Sequence, residues 1–206
     1  MILTTILLVV VVLVPAIVLH ECAHGWVAYR LGDPTAKRMG RLTLNPLKHI
    51  DPVGTVLVPL ALYLLHVFGL NSSLFMFGWA KPVPVNFRAL SNPRRDQILV
   101  ALAGPGVNLL AATLIAQLAK LGSLYMISEI LYWGVLTNVA LAVFNLIPIP
   151  PLDGSRVVGG LLPENLERIY SRLEPFGIIV VIVLINLRWL DFIGPVIEGI
   201  IRWMGV

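Results

Sequence analysis

His20 and His24 stand four residues apart and enclose a glutamate in the pentapeptide His20-Glu21-Cys22-Ala23-His24. On a helix such positions share one face, so both imidazoles can converge on a single divalent ion. Glu21, one residue along, can reach a water at that ion and act as general base. This is the H-E-x-x-H spacing of zinc hydrolases. The bland reading is a pair of surface histidines on an ordinary helix. The preceding nineteen residues, Met1 to Leu19, argue against it, because none is charged. Two imidazoles and a carboxylate in hydrocarbon are costly, which marks them as functional. Cys22 lies two positions from each histidine, points off their face and is a poor candidate ligand.

The elements that must carry this motif are those of a membrane protein. The chain has 206 residues, 58% hydrophobic and 13% charged, with a mean hydropathy of +0.89. Soluble domains carry about 25% charged residues. No polar block is long enough to fold separately, so residues 1–206 read as a single domain. The formal charge of +4 and pI near 9.5 do not indicate nucleic acid. Lys and Arg cluster in loops between apolar runs, where the positive-inside rule and anionic lipid account for them. A lone cysteine excludes an intrachain disulfide. Residues 1–19 lack a basic n-region, and the zinc motif occupies the place of a cleavage site; a retained helix over about 2–30 is expected.

Gly32-Asp33-Pro34 ends that helix, and a basic loop follows with Lys37, Arg38, Arg41 and Lys48. Residues 52–80 are apolar but broken at Gly69-Leu70-Asn71-Ser72-Ser73. A proline-rich turn, Lys81 to Asn86, leads to Arg88, Arg94 and Arg95. Helices are expected over 97–121 and 130–147, with shorter apolar runs at 176–187 and 192–204. Ser155 to Glu174 is the most polar stretch. The positive-inside rule places both basic loops in the cytoplasm, which makes 52–80 a re-entrant hairpin. Helix 97–121 then runs outward and 130–147 returns. Pro148–Gly154 thereby reaches the depth of the zinc motif, near the cytoplasmic face. The expected fold is an all-α polytopic membrane protein of about four to six transmembrane helices, with that hairpin.

A catalytic zinc takes three protein ligands and keeps one position open. His49 lies in a basic loop and His66 in an apolar run, so neither is an obvious third. Asp153 follows a span, between prolines and Gly154, a glycine that permits an unusual backbone angle. From spacing alone Asp153 is equally a helix N-cap.

Three segments, in order and spacing, carry a family resemblance: H-E-C-A-H, A-G-P-G-V-N (Ala103 to Asn108) and N-L-I-P-I-P-P-L-D-G (Asn145 to Gly154). They resemble the site-2 protease group of intramembrane zinc metalloproteases, peptidase family M50, in its small prokaryotic branch without PDZ or CBS domains. The resemblance implies one catalytic zinc ion held by His20, His24 and Asp153, with Glu21 as base. It implies that Asn145 holds the substrate backbone or the oxyanion. Asn108 is either a second such group or an interhelical hydrogen bond of the bundle. Gly104 and Gly106 read as a close-packing surface.

The implied reaction is peptide hydrolysis in or near transmembrane segments of membrane-protein substrates, by a multi-pass protein of the cytoplasmic membrane. A substrate helix must unwind first, and a strand edge could capture it by β-augmentation; Lys37–Leu44 and Val83–Asn86 are the expected short β segments near the site. Two other classes share the ligands: a metal transporter, which needs no general base, and an inert scaffold that binds membrane segments.

Overall fold

The computed structural model describes residues 9–68, 80–121 and 125–206. Among these residues every regular element is helical and none is a strand. Helix α1 (Val14–Arg30) continues a π-wound turn at Val9–Leu13, and the change of winding falls beside Pro15, which has no N–H to donate to the turn before it. It ends where Gly32 takes φ 111°, a value open to glycine, and Asp33 N–H turns back to the Ala28 carbonyl at 2.9 Å. Helix α2 (Val58–Val67) continues a π-wound Pro52–Leu57 segment, whose start is capped by Asp51 through the Val53 and Gly54 amides. The turn expected at Gly69–Ser73 lies outside the described residues.

Helix α3 (Pro93–Leu121) is the spine. It starts at a proline, with Asp96 accepting the Asn92 amide at 2.7 Å, and so begins before the residue 97 expected from hydropathy. Its buried face is built from Ala101, Gly104, Pro105, Asn108, Ala112 and Ala116, small or polar residues at helical spacing. Such a seam lets neighbouring helices approach closely. On the opposite face Leu110, Leu114 and Leu118 are more than half exposed, an apolar stripe suited to lipid rather than water.

Helices α1, α4 (Tyr125–Asn145) and α5 (Asp153–Leu161) pack on this spine. Two short amphipathic and apolar helices follow, α6 (Glu164–Ser171) and α7 (Gly177–Asn186), before α8 (Ile193–Met204) returns to α4. One core cluster joins Ala112 and Ala116 of α3, Val135 and Val139 of α4, and Ile201 and Met204 of α8. A second joins Ala28 of α1, Leu90 and Val100.

The direction of α1 against α3 matters for topology. Ala16 meets Asn108 and His24 meets Val100, so the two helices run antiparallel. The chain therefore leaves α1 and enters α3 at the same end, where Ser91 N–H donates to the Leu31 carbonyl at 3.0 Å. Both basic loops share that end. Trp26 and Tyr29 sit there too, beneath Arg30 at 5.4 Å and Lys37 at 4.3 Å from their ring centres. Val11–Arg30 and Pro93–Leu121 are long and apolar enough to cross a membrane.

Candidate metal centre

The two histidines point from α1 toward α3. Their Nε2 atoms are 3.0 Å apart, and Asp153 Oδ2 lies 3.0 Å from one and 3.2 Å from the other. Among the described residues this is the one cluster of three metal-ligating side chains. Donor atoms gathered this closely are within reach of one shared divalent ion.

Which nitrogens carry protons follows from the neighbours. Asn108 Nδ2 faces the Ala16 carbonyl at 3.2 Å and Asn138 Oδ1 at 2.8 Å, while Asn138 Nδ2 faces the Gly134 carbonyl at 2.9 Å. Carbonyl oxygens accept only, so both amide orientations are fixed. Asn108 Oδ1 is then the atom 2.5 Å from His20 Nδ1, and that nitrogen must donate. His24 Nδ1 likewise donates to the Val100 carbonyl at 2.7 Å. With both Nδ1 atoms protonated, neutral imidazoles turn lone pairs from Nε2 toward the carboxylate. Three acceptors converging in this way repel one another unless a cation lies between them. A proton is the alternative cation. Burial raises the Asp153 pKa, but where a proton takes the ion's place the hydrogen bond donated by a protonated imidazole outweighs it and holds the carboxyl at about 2.

Gly104 gives a second test of fit. A Cβ there would stand 2.6 Å from His20 Nε2 and closer still to His24 Nε2. Any side chain at 104 would collide with both imidazoles, so only glycine lets the two rings converge here. Gly106 has no atom near its missing Cβ, so the close approach expected of both glycines belongs to Gly104 alone.

Asp153 reaches the histidines because of how α4 passes into α5. After Asn145 the chain turns through Pro148 to Leu152, and Leu152 is the N-cap of α5. Asp153 is the first helical residue, and its carboxylate caps nothing. The N-cap reading left open by spacing is thereby excluded. Gly154 is not among the glycines with positive φ, contrary to the expected unusual angle. It is needed for another reason: a Cβ there would overlap the Leu146 carbonyl, so glycine lets α5 start against the end of α4.

Glu21 is half-buried, and its Oε2 accepts the Val83 amide at 2.7 Å. Asn145, the last residue of α4, is half-buried and donates to the Leu141 carbonyl at 2.9 Å. Asn108 is fully buried, with both amide hydrogens and its oxygen engaged within the bundle. Cys22 points away, donating to the Thr43 carbonyl at 2.8 Å beside buried His49. The two segments expected as β edges are not strands. Thr35–Arg38 is a turn of helix, and Lys81–Asn86 has no regular structure and no partner strand. Prolines at 82 and 84 remove the donors a ladder on that side would need. Asn138 and Gly104 were not singled out for this role, although a buried asparagine in an apolar helix is itself a signal.

Residues 115–187 match peptidase family M50. A Bacillus subtilis protein named "Putative zinc metalloprotease YwhC" is 38% identical over 185 residues, covering 85% of this chain and 78% of its own. The chain belongs to peptidase family M50. An M50 chain with two helices of spanning length is a membrane protein. Rip2 of Mycolicibacterium smegmatis, named in the same way, is 32% identical over 81% of this chain and 62% of its own. Rip2 of Mycobacterium tuberculosis H37Rv is 28% identical over 90% of this chain and 68% of its own. No solved structure matches.

Proposed function

We propose that His20, His24 and Asp153 hold the catalytic zinc ion of this intramembrane metalloprotease, and that Glu21 is its general base. The convergence of two Nε2 atoms and one carboxylate oxygen carries the reading. Zinc bound there supplies Lewis acidity, polarising the scissile carbonyl and lowering the pKa of water. The chain's own residues do the rest. Asn108 and the Val100 carbonyl hold the imidazoles in the tautomer that ligates. Glu21 takes the proton of the attacking water and passes it to the leaving amine. Asn108 has no free donor for a substrate and is therefore a positioning group. Asn145 keeps one amide hydrogen beyond its bond to Leu141, enough to hold a substrate carbonyl or the oxyanion.

The substrates are membrane proteins or peptides cut in or near their transmembrane segments, reached through the bilayer, with no part for nucleic acid. The protein is one domain over 1–206, a multi-pass bundle of about four to six helices in the cytoplasmic membrane. Antiparallel α1 and α3 put both basic loops at one end, which supports a cytoplasmic site and a re-entrant 52–80. His24 and His20 lie about 9 and 15 Å along the helix axis from Arg30, within reach of water from that side.

Cleavage of a transmembrane reporter in proteoliposomes, with zinc measured in parallel, tests this. Glu21→Gln is expected to keep zinc and lose cleavage; His24→Ala is expected to lose both. A Glu21→Gln protein that still cleaves would refute the base assignment. One that moves zinc across the bilayer at the wild-type rate, with the wild type showing no cleavage, would make the chain a transporter.

A further inference from the structure

The segment Lys81–Asn86 is fixed at several points. Lys81 N–H donates to the His49 carbonyl at 2.8 Å, and the Lys81 carbonyl accepts from buried Arg41 at 2.7 Å. Asn86 N–H donates to Asp33 Oδ2 at 2.6 Å, and Asp33 is wholly buried. Between these anchors Val83 is buried, seated on α1 where a Cβ at Gly25 would come within 2.8 Å of its Cγ1. Pro82 and Pro84 carry no amide hydrogen, so Val83 N–H is the donor this part of the strap can aim at α1. It is aimed at Glu21 Oε2, at 2.7 Å.

We infer that Val83 is a positioning residue: its backbone amide, held by the strap, fixes the Glu21 carboxylate by one oxygen and leaves the other for the attacking water. The inference rests on Glu21 being the base. A glutamate has three side-chain torsions, and a base free to explore them spends little time in the reactive orientation. An amide donating to a carboxylate selects one orientation. The bond is made to the base and not to substrate, so its loss lowers the rate of turnover and leaves substrate binding alone.

The test replaces the Val83 amide by an ester, inserting the α-hydroxy analogue of valine by nonsense suppression; valine inserted by the same route is the control. A hydrogen bond to a charged group is worth about 1.5–3 kcal/mol, so kcat is expected to fall about 10- to 100-fold. KM is expected to stay within about twofold and zinc at one per chain. Unchanged kcat, or a raised KM with kcat kept, would overturn the inference; the latter would assign the amide to substrate. A readout independent of activity is hydrogen exchange at Val83 N–H. Glu21→Ala is expected to speed it at least tenfold while the Asn86 amide, held by Asp33, keeps its rate. No acceleration would also overturn the inference. Glu21→Gln in the cleavage assay separates the two claims. If it remains active, the base assignment itself has failed; if it is dead while the ester is fully active, only the role of Val83 has.

Discussion

At the scale of single residues, space beside the two Nε2 atoms is as important as the ligands themselves. Gly104→Ala would put a methyl group against both imidazoles. It is expected to abolish zinc binding while circular dichroism keeps the wild-type helix content. Retained zinc in Gly104→Ala would mean that the ion lies elsewhere. Behind His20 stands a buried line of amides, from Asn108 on α3 to Asn138 on α4. Groups behind a ligand commonly change metal affinity by about 10- to 100-fold, and Asn108→Leu is expected to fall in that range. Asn138→Leu should cost less, because it acts only through Asn108. Competition with a chelator reads both affinities, and the double variant should lose little more than Asn108→Leu alone. Additive losses would show that Asn138 acts by another route.

At the scale of elements, the joint between α4 and α5 sets the third ligand. Gly154 touches the end of α4 so closely that a methyl would push α5 away and carry Asp153 with it. Gly154→Ala is thus expected to weaken zinc binding by at least tenfold, though it removes no ligand; an unchanged affinity would show that the joint yields. The joint also shows what sequence could and could not tell. The H-E-x-x-H pair was legible because helical periodicity alone puts His20 and His24 on one face. The spine α3 was legible as an apolar run, though its start moved to Pro93 through local capping. For Asp153, spacing allowed cap or ligand equally, and the fact that Leu152 is the N-cap separates them. Gly104, Asn138 and Val83 take their meaning from how one segment registers against another across many residues. No local pattern encodes that register. The expected β edges erred similarly: Lys81–Asn86 pairs with no strand, and its donors serve Glu21 and Asp33.

At the scale of the whole molecule, the antiparallel pairing of α1 and α3 makes a claim about sidedness. In a Cys22→Ser background, cysteines at Arg38 and Arg88 are expected to react with an impermeant thiol reagent from the cytoplasmic side. A cysteine at Leu121, at the far end of α3, is expected to react from the opposite side. Labelling of positions 38 and 88 from different sides would contradict the proposed topology.

X-ray absorption at the zinc edge of the purified, active protein reads directly which atoms surround the zinc ion. Two imidazole nitrogens and carboxylate oxygen are predicted around one zinc per chain, with the oxygen contribution reduced in Asp153→Ala. A sulfur neighbour from Cys22, or a spectrum that Asp153→Ala leaves unchanged, would contradict it.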